Sequence, residues 1–226
     1  KVNERIDLGT GIETVGFVTK GYVATVLQLY LLGVSIGYSK GLLSDDQVSI
    51  IKSQLEKMIE AVPQVIDKTI AFFEKNVSTF KLANRFVTIG YGPNWGTAKE
   101  FETKFTETVR VPSQGVELEA YMHGPYLEAN HEHVLFFIEA TSSNQTRSQL
   151  LRDYMTSHVG KAYTITVAAA ADSDTLGLDV ACEELFSPLL LVIPFQIFSY
   201  LGAAAKGIDL SKRIFDDFDQ VLKSKI

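Results

Sequence analysis

A run of five apolar residues at 134–138 (Val-Leu-Phe-Phe-Ile) constrains the fold more than any other stretch of the sequence. A strand that is apolar on both faces is typical of the centre of a parallel sheet whose two faces are covered by helices. From Phe86 onward, strand patterns alternate with helix patterns, as such a sheet requires. The sequence therefore predicts an α/β fold in three layers, with a parallel sheet between helices.

The elements of this part follow from the same periodicities and from turn residues. Strands are expected at 86–89, 133–140, 163–168 and, more weakly, 176–183; helices are expected from Thr97, over 145–157 and from Ser187 to Gly207. A second extended run is expected to end in the tripeptide His123-Gly124-Pro125.

The first third of the chain reads mainly as helix. Weak alternation over 2–8 predicts a strand, and 21–39 predicts an apolar helix. Ser44 and Gln47 form the capping box of the next helix. Pro63 is expected to divide that region into two helices, the second of which reaches about residue 76.

Two uncharged runs, 21–39 and 185–205, approach the roughly 20 residues that a membrane-spanning helix needs. The first run contains three glycines and several polar residues, and the second contains two prolines and several polar residues. We therefore expect helices buried between layers or between subunits rather than membrane spans.

Composition narrows the possible partners and the compartment. A net charge of −6 and a pI near 5.3 leave no basic surface for a nucleic acid. The single cysteine, Cys182, cannot form an internal disulfide, and the N-terminal residues do not resemble a signal peptide. A reducing cytoplasm is therefore the expected location.

Charge gathers on one stripe of the helix after the first strand. Glu100, Lys104 and Glu107 share a sector of that helix, apart from its apolar residues. On pattern alone, an ordinary surface helix explains them, with Thr97 and Glu100 as a capping box and Glu100 and Lys104 as an ion pair.

A longer motif adds a resemblance. Glu107 precedes the histidine of His123-Gly124-Pro125 by sixteen positions. This motif resembles the second sugar isomerase (SIS) domain of the isomerase half of glucosamine-6-phosphate synthase and of its relatives, the fructosamine-6-phosphate deglycases. Glu100 and Lys104 match an acid and a lysine of the same family helix. The end of the chain, Val221-Leu222-Lys223-Ser224, is similar to the family's terminal Leu-Ala-Lys-Ser.

The resemblance implies a domain organisation. Residues 1–43 would be the C-terminal remnant of a first SIS domain, because the segment that contains Thr19 and Lys20 is similar to the sequence that closes that domain. Residues 44–78 would be a helical connector, 79–215 the second SIS domain and 216–226 a tail that contributes to the active site. Two positions depart from the family: Ala120 replaces a frequent acid, and Val18 replaces a sugar-contacting serine. The departure at Ala120 concerns substrate identity more than reaction type, and at Val18 the sugar contact would be lost or made differently.

The implied function is a phosphosugar isomerase or a fructosamine-6-phosphate deglycase, either of which moves a proton between C1 and C2 of an open-chain sugar 6-phosphate. Glu107 would be the base, with burial raising its pKa toward the working pH. His123 would assist ring opening, reaching in from a neighbouring subunit of a homodimer or larger assembly. Lys223 would act at the sugar carbonyl. The expected substrate contacts are Lys104, Glu100, Thr19 and Lys20.

Other interpretations remain open beside this one. The chain could be a non-catalytic phosphosugar-binding module, which would not need the pair Glu107 and His123. A glutamine-dependent transferase would require a further domain. The turn Gly90-x-Gly92-x-x-x-Gly96 is one residue too long for a dinucleotide fingerprint, and His131 and His133 lack a third ligand at metal spacing. We therefore expect no cofactor and no metal.

Overall fold

The computed structural model describes residues 4–215 and 217–223. Five parallel strands form one sheet in the order β2-β1-β3-β4-β5, and helices cover both of its faces. The strands are β1 (Arg85–Gly90), β2 (Ser113–Glu117), β3 (His133–Glu139), β4 (Lys161–Thr166) and β5 (Thr175–Gly177). The helices are α1 (Lys20–Ser39), α2 (Asp45–Leu82), α3 (Asn94–Thr108), α4 (Leu118–Met122), α5 (Gln145–Met155), α6 (Pro188–Ala205) and α7 (Phe218–Leu222). The predicted α/β fold class is confirmed.

Two hydrophobic clusters, one on each face of the sheet, hold the three layers together. Phe86 and Phe136 point to the face that α2, α3 and α6 cover, whereas Val87 and Phe137 point to the face that α4 and α5 cover. The ring of Phe136 lies against aromatic rings of these elements: Phe80, Phe86, Phe101, Phe105, Tyr163, Phe195 and Phe198. Strand β3 is buried along its whole length, as its apolar run predicted.

Helix α2 is a single helix of 38 residues, so the predicted division at Pro63 is wrong. The capping box of Ser44 and Gln47 forms as expected. Pro63 lies on the exposed side of the helix, where solvent can satisfy the carbonyl that loses its partner. On the opposite side Val65, Phe72 and Phe80 are buried in the core, and this packing outweighs the local cost of the proline.

Helix α6 lies in the core, but α1 does not. Both helices have the length and apolar composition of a membrane span, and two thirds of the α6 window (67%) is buried whereas none of the α1 window is. Burial of α1 between layers of this chain was a wrong prediction, because only one side of the helix, which includes Val26 and Tyr30, packs against the core. Burial of α1 against another subunit stays a prediction.

Four boundaries also differ from prediction. Residues 4–8 are exposed and form no strand, and β5 is a short edge strand rather than 176–183. Helix α3 begins at Asn94, and the side chain of Thr97 donates to Asn94 instead of capping a helix start. The extended run before His123 is only β2, after which the chain forms the short helix α4.

Helix α3 packs against β2 with almost no space between the backbones. A Cβ atom at Gly115 would lie 2.0 Å from the carbonyl oxygen of Ala98. The backbone N–H of Gly115 donates to Glu102 of the helix at 2.7 Å. This close approach fixes how α3 is placed along the strands.

Candidate functional site

A groove of about 1160 Å³ lies where α3 and α6 meet the two ends of the described chain. Its walls are residues 14–17 and Thr19, the last turns of α3, one side of α6 and residues 208–214. The volume exceeds the roughly 300–1,000 Å³ typical of small-molecule sites, so a hexose phosphate fits in it. Two of the predicted site residues on α3, Lys104 and Glu107, line this groove.

Lys104 is the centre of a charge cluster on α3. The residue is 3% exposed, and its Nζ atom lies 2.7 Å from Glu107 Oε2 and 3.8 Å from Glu100 Oε1. One buried ammonium thus faces two carboxylates on the same side of the helix, one about a turn before it and one about a turn after it. The predicted pair of Glu100 and Lys104 exists, but the shorter contact is to Glu107.

The two carboxylates have different surroundings. The side chain of Glu107 is 38% exposed on the groove wall, whereas that of Glu100 is 11% exposed. Burial raises the pKa of Glu100, and the nearby Lys104 only partly offsets it. Burial and Glu100 together raise the pKa of Tyr22 on α1 to about 12. The sequence analysis expected burial of Glu107, but the buried carboxyl of this stripe is Glu100.

Thr19 and Lys20 have separate positions at the start of α1. Thr19 lines the groove, and its backbone N–H and hydroxyl both donate to Glu13 at 2.8 and 3.1 Å. These hydrogen bonds, with further N–H groups from Lys20 and Gly21, lower the pKa of Glu13 to about 2. Lys20 Nζ instead donates to the carbonyls of Thr10 and Ile12, so it does not line the groove.

His123 lies apart from this groove. It follows α4, is exposed, and is close enough to Glu119 to help lower the pKa of that carboxyl, after the larger effect of Arg147. Its backbone N–H donates to Ala120. Within the described chain, His123 is not among the residues that line the groove with Glu107.

The sheet explains why the two residues are apart. The backbone N–H of Phe86, at the start of β1, donates to Pro112, and Gly90, at its end, pairs with Glu117. Glu107 comes five residues before Pro112, on the side of the sheet where the strands begin. His123 comes six residues after Glu117, on the side where they end. The two residues of the motif therefore lie toward opposite ends of the strands.

Lys223 lies at the end of α7, outside the lining of the groove. Its backbone is left-handed, with φ at 49°. The following residue of the terminal motif, Ser224, lies outside the described residues.

Most residues of the groove were missed by the sequence analysis, and three polar ones among them are Gln196, Ser199 and Arg110. Gln196 and Ser199 line the groove from α6, and Arg110 lines it just after α3. The apolar pattern of α6 gives no sign that one side faces a site. For Arg110 a signal existed, since Pro112 forces the helix to end close to that residue.

The remaining polar clusters have structural partners. His133 is buried at the start of β3, and its Nε2 lies 3.2 Å from the amide of Asn130. Burial lowers the pKa of His133 and raises the pKa of Cys182 to about 11. Among residues 4–215 and 217–223, no three His, Cys, Asp or Glu side chains lie together as metal ligands would.

Comparison with known proteins gives the class of the chain. No family model matches it. A protein of Clostridium difficile 630, provisionally described as a phosphosugar isomerase, superposes with a TM-score of 0.86 at 24% identity over 97% of this chain and 62% of its own. The C-terminal domain of glucosamine-fructose-6-phosphate aminotransferase from Francisella tularensis gives 0.78 at 18% identity, over 88% and 57%. The fold is thus that of the SIS-type phosphosugar isomerases, as the resemblance predicted.

The relatives found by sequence comparison have a more specific description than the structural neighbours. The isomerizing glutamine–fructose-6-phosphate aminotransferase of Synechocystis sp. is 27% identical over 217 residues, which cover 93% of this chain and 34% of that protein. The same enzyme of Clostridium perfringens is 27% identical over 204 residues, or 86% and 33%. The chain is a homologue of part of these aminotransferases, and it spans about a third of their length.

Proposed function

We propose that this chain supplies Glu107 and Lys104 to the active site of a phosphosugar isomerase or fructosamine-6-phosphate deglycase. The reaction moves a proton between C1 and C2 of an open-chain sugar 6-phosphate. The observation that carries the proposal is the 2.7 Å pair of Lys104 and Glu107 on a groove wall, in a homologue of isomerizing aminotransferases.

Glu107 is the base of the proposed reaction. Its carboxylate faces the groove and can reach a carbon-bound proton of a ligand held there. The ammonium of Lys104 lies 2.7 Å from Glu107 Oε2 and fixes the position of this carboxylate on the groove wall. A ligand that fills the groove would displace solvent from around the pair.

His123 assists ring opening from a second copy of the chain. This arrangement is proposed because Glu107 and His123 lie toward opposite ends of the strands, so a single chain does not bring them together in the groove. Lys223 acts at the carbonyl, and Glu100, Thr19 and Lys20 support the substrate. Residues 208–214 already line the groove, and this segment leads toward Lys223.

The domain organisation is part of the proposal. Residues 1–43 close a first SIS domain, 44–78 connect, 79–215 form the second domain and 216–226 reach the site. Helix α2 crosses the boundary between the connector and the second domain without a break and packs in that domain's core, so these two parts form one packed unit. A sugar-phosphate substrate, a homodimer and a cytoplasmic location belong to the same proposal.

Product analysis of the complete polypeptide with fructose 6-phosphate, glucosamine 6-phosphate and fructosamine 6-phosphates tests the function. Glu107→Gln keeps the shape but removes the base, so we expect turnover to fall by about a hundredfold or more with an unchanged melting temperature. His123→Asn should have a similar effect. Glu74→Gln and His131→Asn, two exposed positions away from the groove, are the matched controls.

The contrary outcome is clear for both variants. Near-parental turnover of Glu107→Gln and His123→Asn on a substrate that the parent converts would refute the proposed roles. Binding of sugar phosphates without any turnover by the parent would favour the alternative, a non-catalytic binding module. Glutamine-dependent transfer, the reaction that the relatives' name describes, remains a further alternative for a chain that includes a glutamine-hydrolysing domain.

A further inference from the structure

Arg110 occupies an unusual place on the wall of the groove. It is exposed, follows the last residues of α3 and lies three positions after Glu107. Glu107 and Arg110 both line the groove, so the long side chain of Arg110 can reach a ligand that contacts Glu107.

The backbone of Arg110 is in the left-handed region, with φ at 58°. The N–H groups of Val109 and Arg110 both donate to the carbonyl of Phe105, which ends the helix. A left-handed residue at this position is usually glycine, because a side chain makes the conformation less favourable. The chain nevertheless has the largest cation here.

The other cations of the groove have carboxylate partners. Lys104 pairs with Glu107 and Glu100, Lys212 Nζ lies 3.3 Å from Asp209, and Arg213 pairs with Asp219. The side chain of Arg110 forms no hydrogen bond or ion pair within residues 4–215 and 217–223. It is thus the guanidinium in this groove that is available to an anion.

A structural role would be stabilisation of the helix C-terminus, where positive charge is favourable. That role does not require position 110, because a cation in the last turn of α3 would serve equally without a left-handed backbone, and that turn contains no basic residue. The position on the groove wall beside Glu107 is what a ligand contact requires.

We propose that Arg110 binds an anionic group of the ligand whose carbon atoms face Glu107. The proposal rests on the proposed function and adds a binding residue to it. The anion is either the 6-phosphate of the sugar or the carboxylate of the amine part of a fructosamine. A guanidinium binds both groups with two parallel N–H donors.

Calorimetric titration of the full chain with fructose 6-phosphate, fructosyl-glycine and fructose tests this directly. Fructose 6-phosphate has only the phosphate, fructosyl-glycine has only the carboxylate, and fructose has neither. Arg110→Gly should lower the affinity for one of the two anionic ligands by roughly tenfold to a hundredfold, since a charge-assisted hydrogen bond is lost. Lys52→Gln, which removes an exposed cation on α2 outside the groove lining, should change either affinity by less than about threefold.

A merely structural Arg110 would affect the melting temperature instead. Glycine suits the left-handed backbone, so the melting temperature of Arg110→Gly should equal or exceed that of the parent. Arg110→Asn, which also tolerates this conformation, is the second variant and should lose the same affinity.

Each outcome decides the proposal. Selective loss for fructose 6-phosphate identifies the phosphate, and selective loss for fructosyl-glycine identifies the carboxylate; either supports it. Unchanged affinities in both variants, or a parent that binds fructose as well as the two anions, overturn it. An effect of Arg110→Gly on binding in a protein without turnover would leave this inference standing while the proposed reaction fails.

Discussion

At the scale of single residues, the buried ammonium of Lys104 is the cation that pairs with Glu100 and Glu107. Lys104→Met would leave Glu100 buried without its partner, since Glu100 Oε1 has no hydrogen bond among the described residues. We expect a loss of about 3–5 kcal/mol in the free energy of unfolding. Urea denaturation at pH 7 measures it. Lys99→Met removes an exposed pair on the same helix and should cost no more than about 1 kcal/mol.

Glu139 gives a pH dependence of stability at the same scale. It is 2% exposed at the end of β3, where it accepts hydrogen bonds from Ser148 and Gln149, and burial raises its pKa. A raised pKa in the folded state stabilises the protein below the unfolded pKa of about 4.3, and this contribution is lost as pH rises through the folded pKa. Glu139→Gln should therefore be more stable than the parent at pH 7.

Thermal unfolding of both proteins between pH 4 and pH 8 tests the sign of this effect. The advantage of Glu139→Gln should shrink as the pH falls toward 4, because the parent carboxyl then becomes neutral as well. Glu56→Gln, which changes an exposed carboxyl on α2, is the control. A parent that is more stable than Glu139→Gln at pH 7 would contradict the explanation.

Only part of the candidate site could be predicted from the sequence. The charged stripe of Glu100, Lys104 and Glu107 follows from helical periodicity, and the structure brings all three together. Which carboxyl is buried does not follow, because the covering residue, Tyr22, lies 78 positions earlier in the sequence than Glu100. The ligand-facing position of Arg110 depends on the backbone at a helix end, which spacing alone does not specify.

At the scale of elements, the contact between α3 and β2 sets the position of Lys104 and Glu107. Gly115→Ala would place a methyl group 2.0 Å from the carbonyl of Ala98 and push the helix off the strand. We expect a loss of about 1–3 kcal/mol in the free energy of unfolding, with weaker ligand binding. The matched change on the same helix, Gly96→Ala, meets only the hydroxyl oxygen of Tyr22, at 4.0 Å, and should gain about 0.5–1 kcal/mol.

Elements were predictable where local pattern and tertiary packing agree. The apolar run of β3, the capping box of α2 and the start of α6 after Ser187 are local signals, and the structure has them. Pro63 and residues 4–8 show the opposite case. Core packing keeps α2 continuous despite its proline, whereas the weakly alternating segment 4–8 is exposed and lacks packing that would hold it as a strand.

At the scale of the whole molecule, the uncovered side of α1 is the feature that one chain leaves unexplained. Leu29, Leu32 and Ile36 lie on one helical stripe and are 62%, 40% and 46% exposed. We predict a dimer or larger assembly that buries this stripe. Sedimentation at micromolar concentration should give at least twice the chain mass, and Leu29→Glu with Ile36→Glu should shift it toward the monomer.

The control for this prediction is Leu82→Glu, a change at a 75% exposed leucine at the end of α2. It should leave the sedimenting mass unchanged. A parent that remains monomeric at this concentration would rule out an interface on α1 of useful strength.

The placement of Glu107 and His123 toward opposite ends of the strands has a genetic consequence. If every site takes Glu107 from one chain and His123 from its neighbour, then Glu107→Gln and His123→Asn are each inactive alone but complementary when mixed. A mixed dimer has one site with both changes and one site with neither. Co-expression of the two dead variants should therefore restore about a quarter of the parental activity, whereas sites built within one chain would restore none.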